Sequence, residues 1–466
     1  MTGVAVDQLK EGFAGAVVRP GDGEYDSLRA VFNGMIDRLP AVIARCTGVG
    51  DVVTAVNYAR ERGLPLAVYG GGHGVTGHAV CDRGLVIDLR PMKEVRIDAH
   101  GAAARVAPGV TWGELDAATQ EFGLAVTGGR VSTTGVAGLT LGSGSGWLER
   151  KLGLTADNLL SAEVVLADGT LVTASEWEHD DLFWALRGGG GSFGIVTEFE
   201  FQLHPVGPVV LGGLVLHSAD RAPELLRFFR AFMADAPDEV GGAVGLITAP
   251  PQPFVPSWLR GRPTAAIIAC YAGDVKEGAR VLAPLRDYGP PAADLVQRMP
   301  YTALQRLVDE ANRPGLRNHW GGEFLVELSD EAIEVFCSAH ARAPSPHTQI
   351  LIVPGGGQIA RVPEGATAIG QRQAPWNTHL LAMWEDAGDD ARNLAWLREL
   401  QSACAPYTTG RAWLNFVGEE GETRVRRALG EETYEQLQAV KERYDRRNLF
   451  RLNQNIRPSE YARRRV

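Results

Sequence analysis

Leu66-Ala67-Val68-Tyr69-Gly70-Gly71-Gly72-His73-Gly74-Val75-Thr76-Gly77-His78 is the stretch that decides the fold of this chain. A short apolar run reads as a strand, then breaks into consecutive glycines followed at once by a histidine. Without a Cβ, such a backbone bends tightly and brings its N–H groups close to a bound anion. In a dinucleotide fingerprint the loop would open a helix whose N-terminus holds the pyrophosphate. Here Gly84-Leu85-Val86-Ile87-Asp88-Leu89 follows and reads as a second strand. A phosphate would therefore sit in a backbone nest between strands, which disfavours an ordinary nicotinamide site.

Two further glycine clusters raise this loop above a surface turn. One runs from Gly128 through Gly146, a ribbon of small residues too permissive for ordinary core. The other is Gly188-Gly189-Gly190-Gly191-Ser192-Phe193-Gly194. Together the clusters suit a large, flat, diphosphate-bearing ligand threaded along backbone. Spacing alone supports only a bulky anionic ligand.

Composition narrows the class. A chain of 466 residues with 45% hydrophobic and 22% charged residues is long enough for more than one unit with its own core. The formal charge of -10 argues against nucleic acid as a partner, because phosphate binding needs a clustered basic surface. Arg463-Arg464-Arg465 reads as a solvated end, and Met1 to Phe13 has no apolar signal core. No stretch is long enough to span a membrane. Cys46, Cys81, Cys270, Cys337 and Cys404 are scattered and form no CxxC pair, which argues against a zinc site or disulfide framework. Free thiols fit a cytoplasmic location, and no metal site is expected.

The spacing predicts a strand over 41–45, then a helix opened by Asp51 with Val52, Val56 and Ala59 on one face, ending at Gly63 and Pro65. Strands follow over 85–89 and 103–106, a helix over 112–122, and a hairpin over 162–172 turned at Ala167-Asp168-Gly169. Ile195, Thr197, Phe199, Phe201 and Leu203 alternate as in a half-buried strand. His204-Pro205-Val206-Gly207-Pro208 punctuates a boundary. Beyond it a strand over 211–216, a helix over 222–233, a strand over 264–271 and a helix over 276–286 predict a separate α+β sheet unit. Later strands are expected over 379–384 and 412–417, and a long helix over 431–444.

The motifs occur in a telling order. GGGHG is followed by PGVTWGEL (Pro108 to Leu115), STTGVAGLTLGSGSGW, and GLTADNLLSAEVVLADG (Gly153 to Gly169). WALRGGGGSFGIVTEFEF (Trp184 to Phe201) and NLFRLNQNI (Asn448 to Ile456) complete the series. In this the chain resembles the FAD-linked oxidases of the berberine bridge enzyme-like group, within the vanillyl-alcohol oxidase superfamily. The resemblance implies an α+β, two-domain PCMH-type FAD-binding fold, its cofactor domain discontinuous and its substrate domain an antiparallel sheet. The implied divisions are 1–205 for FAD, 206–417 for substrate, and 418–466 returning to the FAD domain.

The resemblance also implies site residues. His73 matches the position that bonds covalently to the flavin 8α-methyl, and a neutral imidazole is a competent nucleophile near pH 7. Val131 matches the position where doubly attached members carry a cysteine, so a single link is implied. Flavin and ribityl contacts fall on Tyr69, Gly70, Gly71, Gly72, Gly74, Gly129, Thr133, Thr134, Gly135, Gly138 and Thr140. Asp157 and Asn158 fix this wall, Gly194, Ile195 and Val196 meet the adenine side, and Asn453 and Asn455 supply amides to the flavin's carbonyl edge. Each is also a residue type that serves as a structural turn.

The substrate side is read through Glu323, Gln358, Asn377, Trp384, Trp413 and Asn415, with His379 and Tyr301 as weaker candidates. Members often show Tyr-x-Asn where this chain has Trp413-Leu414-Asn415. An indole only donates and is no base. Either another group, such as Glu323, takes the proton or little base assistance is needed, and Glu323 reads more simply as a surface carboxylate at a helix or strand end. The function implied is an FAD oxidase taking hydride from an alcohol, amine or activated C–H and passing electrons to O2 to give H2O2. The Ala, Gly, Val and Arg usage of a GC-rich bacterium fits a step in secondary metabolism. A flavin dehydrogenase using a carrier, and a flavin-bearing binding protein without turnover, stay open as alternatives.

Overall fold

The computed structural model describes residues 7–459. The tail arginines and the first residues of the Met1 to Phe13 segment lie outside the described residues. The strands Leu66–Tyr69, Leu85–Asp88 and Val42–Arg45 pair in parallel, and Ala16–Val18 runs antiparallel at the edge beside Val42–Arg45. Parallel pairing demands a crossover, supplied by the helix Val49–Arg62. Its Val52, Ala55, Val56 and Ala59 pack on Val42, Ala44, Leu85 and Ile87. The helix starts two residues before Asp51, whose carboxylate instead accepts the N–H groups of Ala14 and Thr47 at 2.7 and 2.8 Å. Gly63 closes it in the left-handed region, its N–H reaching the Ala59 and Arg60 carbonyls.

A second, antiparallel sheet runs in the order Val95–Asp98, Ala103–Val106, Ile195–Gln202, Leu159–Val165, Leu171–Ser175. The last pair is the expected hairpin. The glycine ribbon is not loop throughout: Val136–Gly142 forms a helix that the small residues concealed from hydrophobic periodicity. The helix expected over 112–122 stops at Gln120.

Leu124–Ala125 and His204–Pro205 form a two-stranded pair, and the largest sheet is nine-stranded among the described residues and antiparallel throughout. Its long strands run in the order Val209–Ser218, Pro263–Tyr271, Val240–Thr248, Gln349–Pro354, Trp376–Trp384, with Arg317–Gly321 at the edge. Helices Ala222–Ala234, Val275–Asp287, Asp330–Ala341 and Asp390–Cys404 cover one face through Leu226, Phe229, Leu282, Phe336 and Leu397. Because side chains alternate across a strand, the opposite residues of each strand turn toward the glycine loops. One expected strand is absent. Residues 412–417 carry a short 3-10 turn, Leu414–Phe416, because no neighbouring strand pairs with them and the turn bonds to itself.

The helix Glu431–Tyr444 packs Tyr434, Leu437 and Val440 against Leu182, Phe183 and Leu186 of the core beneath the five-stranded sheet. Fully buried Lys441 fastens the tail to the third glycine loop. Its Nζ donates to the carbonyls of Ser192 at 2.6 Å and Phe450 at 2.9 Å, and pairs with Asp445 at 2.7 Å. The class is therefore α+β, and the helix Glu431–Tyr444 shares a core with residues of the five-stranded sheet.

Candidate functional site

Two of the glycine loops meet at van der Waals limits. A Cβ on Gly71 would lie 2.3 Å from the Gly135 nitrogen, and one on Gly135 would lie 2.5 Å from the Gly71 nitrogen. The backbones thus touch where any side chain would part them, and Gly72 adds a φ of +66°. The loops, the ribbon helix and the antiparallel sheet enclose a cavity of about 1100 Å3. That exceeds the ~300–1,000 Å3 of ordinary ligand pockets. A cradle of bare backbone beside a chamber of this size suits a large anionic group plus a second, smaller molecule.

Gly70, Gly71, Gly72, His73 and Gly74 line this cavity, as do Gly129, Thr134, Gly135 and Gly138 from the ribbon. Gly194, Ile195, Val196 and Asn453 close it from the third loop and the tail. His73 stacks on Phe32 with ring centroids 3.9 Å apart, and its Nε2 lies 3.1 Å from the Thr133 hydroxyl. The ring is open to the cavity on one side and enclosed by protein elsewhere. That burial pushes its pKa down to about 4, so the imidazole is neutral at physiological pH.

Other expected contacts stand behind the wall. Tyr69 is buried, its hydroxyl donating to the Ala30 carbonyl at 2.7 Å beneath the Arg90 guanidinium. Thr140 donates to Val136 within its own helix. Asp157 holds the buried Arg372 in a two-point pair at 2.6 and 3.0 Å. Asn158 donates to the carbonyls of Leu152 and Leu154 and meets His204 at 2.6 Å. These groups position backbone. Asn455 borders a smaller neighbouring cavity, with its Oδ1 unpartnered.

The substrate-side candidates are redistributed. Asn415 lines the cavity, but its amide is committed to the ribbon. Its Oδ1 accepts from Ser143 at 2.9 Å and from the Gly144 N–H at 3.3 Å, while Nδ2 donates to Gly138 and Leu139. Trp413 is buried against Phe324, Leu154 and Ile369, outside the lining. Glu323 pairs with Arg424 at 3.4 Å and is likewise outside it. Trp384 faces the helices and donates to Asp390 at 2.7 Å. Gln358 opens a short helix away from the lining, Asn377 is buried outside the lining with its Oδ1 unpartnered, and Tyr301 is buried with its hydroxyl unpartnered.

His379, weighted least from sequence, is the candidate the structure brings in. It forms cavity wall, stacks on Phe416 at 3.8 Å, and leaves Nε2 without a partner. An orphaned buried polar atom costs about 1–3 kcal/mol until something satisfies it. Burial first, then the nearby Arg130 charge, holds this imidazole well below its ordinary pKa. Arg130, which the sequence reading did not single out, lies over Trp147 and pairs with Glu149 at 3.0 Å. Arg130 has no signal in local sequence.

The buried imidazoles set a pH dependence. Burial pushes His73, His78 and His340 down to about 4, against an unfolded value of 6.5. Between those values the unfolded chain binds more protons, so stability rises with pH in that window. The contribution is fully present above about pH 6.5 and is lost as pH falls toward 4. Melting in overlapping buffers should give a midpoint several degrees lower at pH 5 than at pH 7.5. A flat profile between them contradicts the buried, neutral state of these rings.

All five cysteines are free, and no helix of the described residues is long and apolar enough to cross a membrane. A family model described as FAD binding domain matches residues 40–175, and one described as berberine and berberine like matches residues 412–457. The chain is 31% identical over 457 residues to an FAD-linked oxidoreductase of Dictyostelium discoideum, covering 97% of each. To (R)-6-hydroxynicotine oxidase of Paenarthrobacter nicotinovorans it is 32% identical over 458 residues, covering 95% of this chain and 97% of that one. The crystal structure of 6-hydroxy-D-nicotine oxidase from Arthrobacter nicotinovorans matches with a TM-score of 0.85 at 29% identity, covering 95% and 98%.

Proposed function

Since this chain belongs to the FAD-linked oxidoreductases of the berberine-like family, we propose that it is an oxidase taking hydride from a small organic substrate. The observation that carries this reading is the contact of Gly71 with Gly135, a bare-backbone cradle opening directly onto the cavity. FAD bound there supplies the hydride-accepting chemistry, and dioxygen is the proposed acceptor, giving hydrogen peroxide. The residues hold the cofactor, orient the substrate carbon and exclude water. A cofactor unit of residues 1–205 with 418–466, and a substrate unit of 206–417, fit this division of labour. Free thiols fit a cytoplasmic setting.

Gly70, Gly71, Gly72, Gly74, Gly129, Thr134, Gly135 and Gly138 are the proposed cradle, with Gly194, Ile195, Val196 and Asn453 along its far end. His73 is the proposed single point of covalent attachment. It is neutral, faces the cavity and is steadied by Thr133 and Phe32. Asn415 is assigned a positioning role, fixing the ribbon that forms one wall.

Anaerobic mixing with a panel of alcohols, amines and activated C–H compounds, read by bleaching of the flavin band, tests the reading. Readmitted air should restore the colour rapidly and release peroxide in proportion to substrate oxidised. Slow recovery in air speaks for a dehydrogenase with a carrier, and no bleaching by any compound for a binding protein. A preparation without flavin, even after incubation with FAD, overturns the reading.

Glu323→Gln belongs to the same assay. A positioned general base contributes about 10²-fold or more. Glu323 lies outside the cavity lining and pairs with Arg424, so flavin reduction should change by no more than about threefold. A loss of the larger size returns Glu323 to the chemistry.

A further inference from the structure

The sheet face that meets the cavity is mostly aliphatic, with Thr248, Gln297, Gln349, Trp320 and His379 interspersed. Leu214 and Leu216, Ile247, Ile268, Leu351 and Leu381 occupy its lining positions on five adjacent strands. The exposed charges of Glu310 and Arg313 line the outer end. Within the wall, His379 is 3% exposed and no group satisfies its Nε2. The neighbouring polar side chain Gln349 is engaged with the Ala311 carbonyl at 3.3 Å. Arg130 has its terminal nitrogens committed to Ser145, Gly146 and Glu149.

Resting on the reading as an FAD-linked oxidoreductase, we propose that the site takes an uncharged, predominantly apolar alcohol or phenol. His379 is the specificity-determining residue, its imidazole holding the substrate hydroxyl. A neutral imidazole carries one donor and one acceptor, and a hydroxyl can satisfy either. A protonated amine is disfavoured because the buried carboxylate of Glu149 is already paired with Arg130 at 3.0 Å, which leaves no unpaired carboxylate among the described residues of the aliphatic face. A saccharide would leave several hydroxyls against leucine and isoleucine, each losing its water without a replacement.

Calorimetric titration of the flavin-loaded protein at pH 7 with 2-naphthol, naphthalene and cellobiose tests this. Wild-type protein should bind 2-naphthol about tenfold more tightly than naphthalene, the scale of one net hydrogen bond, and cellobiose more weakly than both. His379→Phe keeps a ring against Phe416 and should bring the naphthol-to-naphthalene ratio near one while naphthalene affinity is retained. His379→Asn, which keeps a donor and an acceptor, should restore part of the preference. Indifference of the wild type to the hydroxyl, an unchanged ratio in His379→Phe, or cellobiose binding as tight as 2-naphthol overturns the proposal. The flavin band of the same preparation reads the FAD assignment separately. A flavin-loaded protein that ignores the hydroxyl therefore sinks this inference alone.

Discussion

Acid precipitation of the wild-type protein leaves the yellow colour in the pellet, and the same treatment of His73→Ala releases essentially all of it to the supernatant. This is the expected result of a single covalent link through His73. The ring is neutral because burial pushes its pKa down to about 4, so a nitrogen lone pair is available at physiological pH. Phe32 at 3.9 Å fixes the plane of the ring, and Thr133 at 3.1 Å fixes its rotation. Intact mass should exceed the polypeptide by one FAD in the wild type and by nothing in the variant. Val131 stands where a second attachment would need a thiol, and no cysteine lies between Cys81 and Cys270, so a second link is not expected. His73→Ala should still fold and bind FAD reversibly, because the glycine contacts do not involve the imidazole. Wild-type colour that leaves on acid treatment sinks the covalent link and leaves a noncovalent FAD enzyme standing.

Gly135→Val should yield protein with less than about a tenth of wild-type flavin, the scale of a contact that has to part before ligand fits. Gly135 is held from several sides. Trp112 donates its N–H to the Thr134 carbonyl at 2.9 Å, Val136 donates to Val110 at 2.9 Å, and the ribbon helix starts at the next residue. A Cβ there lies 2.5 Å from the Gly71 nitrogen and 2.7 Å from its Cα, below any real contact distance. Backbone cannot swing aside as a side chain does, so the loops must separate. Gly50→Ala is the control. It sits on an exposed helix position with nothing within 4 Å of the new Cβ, and alanine there favours the helix. Retention of flavin by a cooperatively melting Gly135→Val protein contradicts the cradle.

The glycine clusters were legible because their message is local. A run of residues without Cβ reads as tight loop whatever surrounds it, and Gly71, Gly72 and Gly135 lie where that freedom is used. The crossover helix Val49–Arg62 and the hairpin of Leu159–Val165 with Leu171–Ser175 were legible for the same reason, their periodicity and turn residues lying within a few positions. The substrate side was not. Every residue of Trp376–Trp384 is buried, so the strand reads as one apolar run. Nothing local says which parity faces the cavity. The sequence reading named Asn377 and Trp384, one from each face, and ranked His379 below both; only the register Leu351 to His379 and Leu380 to Gly321 separates the faces. Residues 412–417 carry a strand-like composition, but a strand needs a partner, and tertiary packing offered the ribbon instead. Lys441 and Arg372 look like ordinary surface cations until Asp445 and Asp157, with the carbonyls around them, make their burial tolerable. Local backbone chemistry settled where a large ligand can lie. The identity of the groups that face a substrate depended on strand parity and distant partners, which exist only once the sheets have packed.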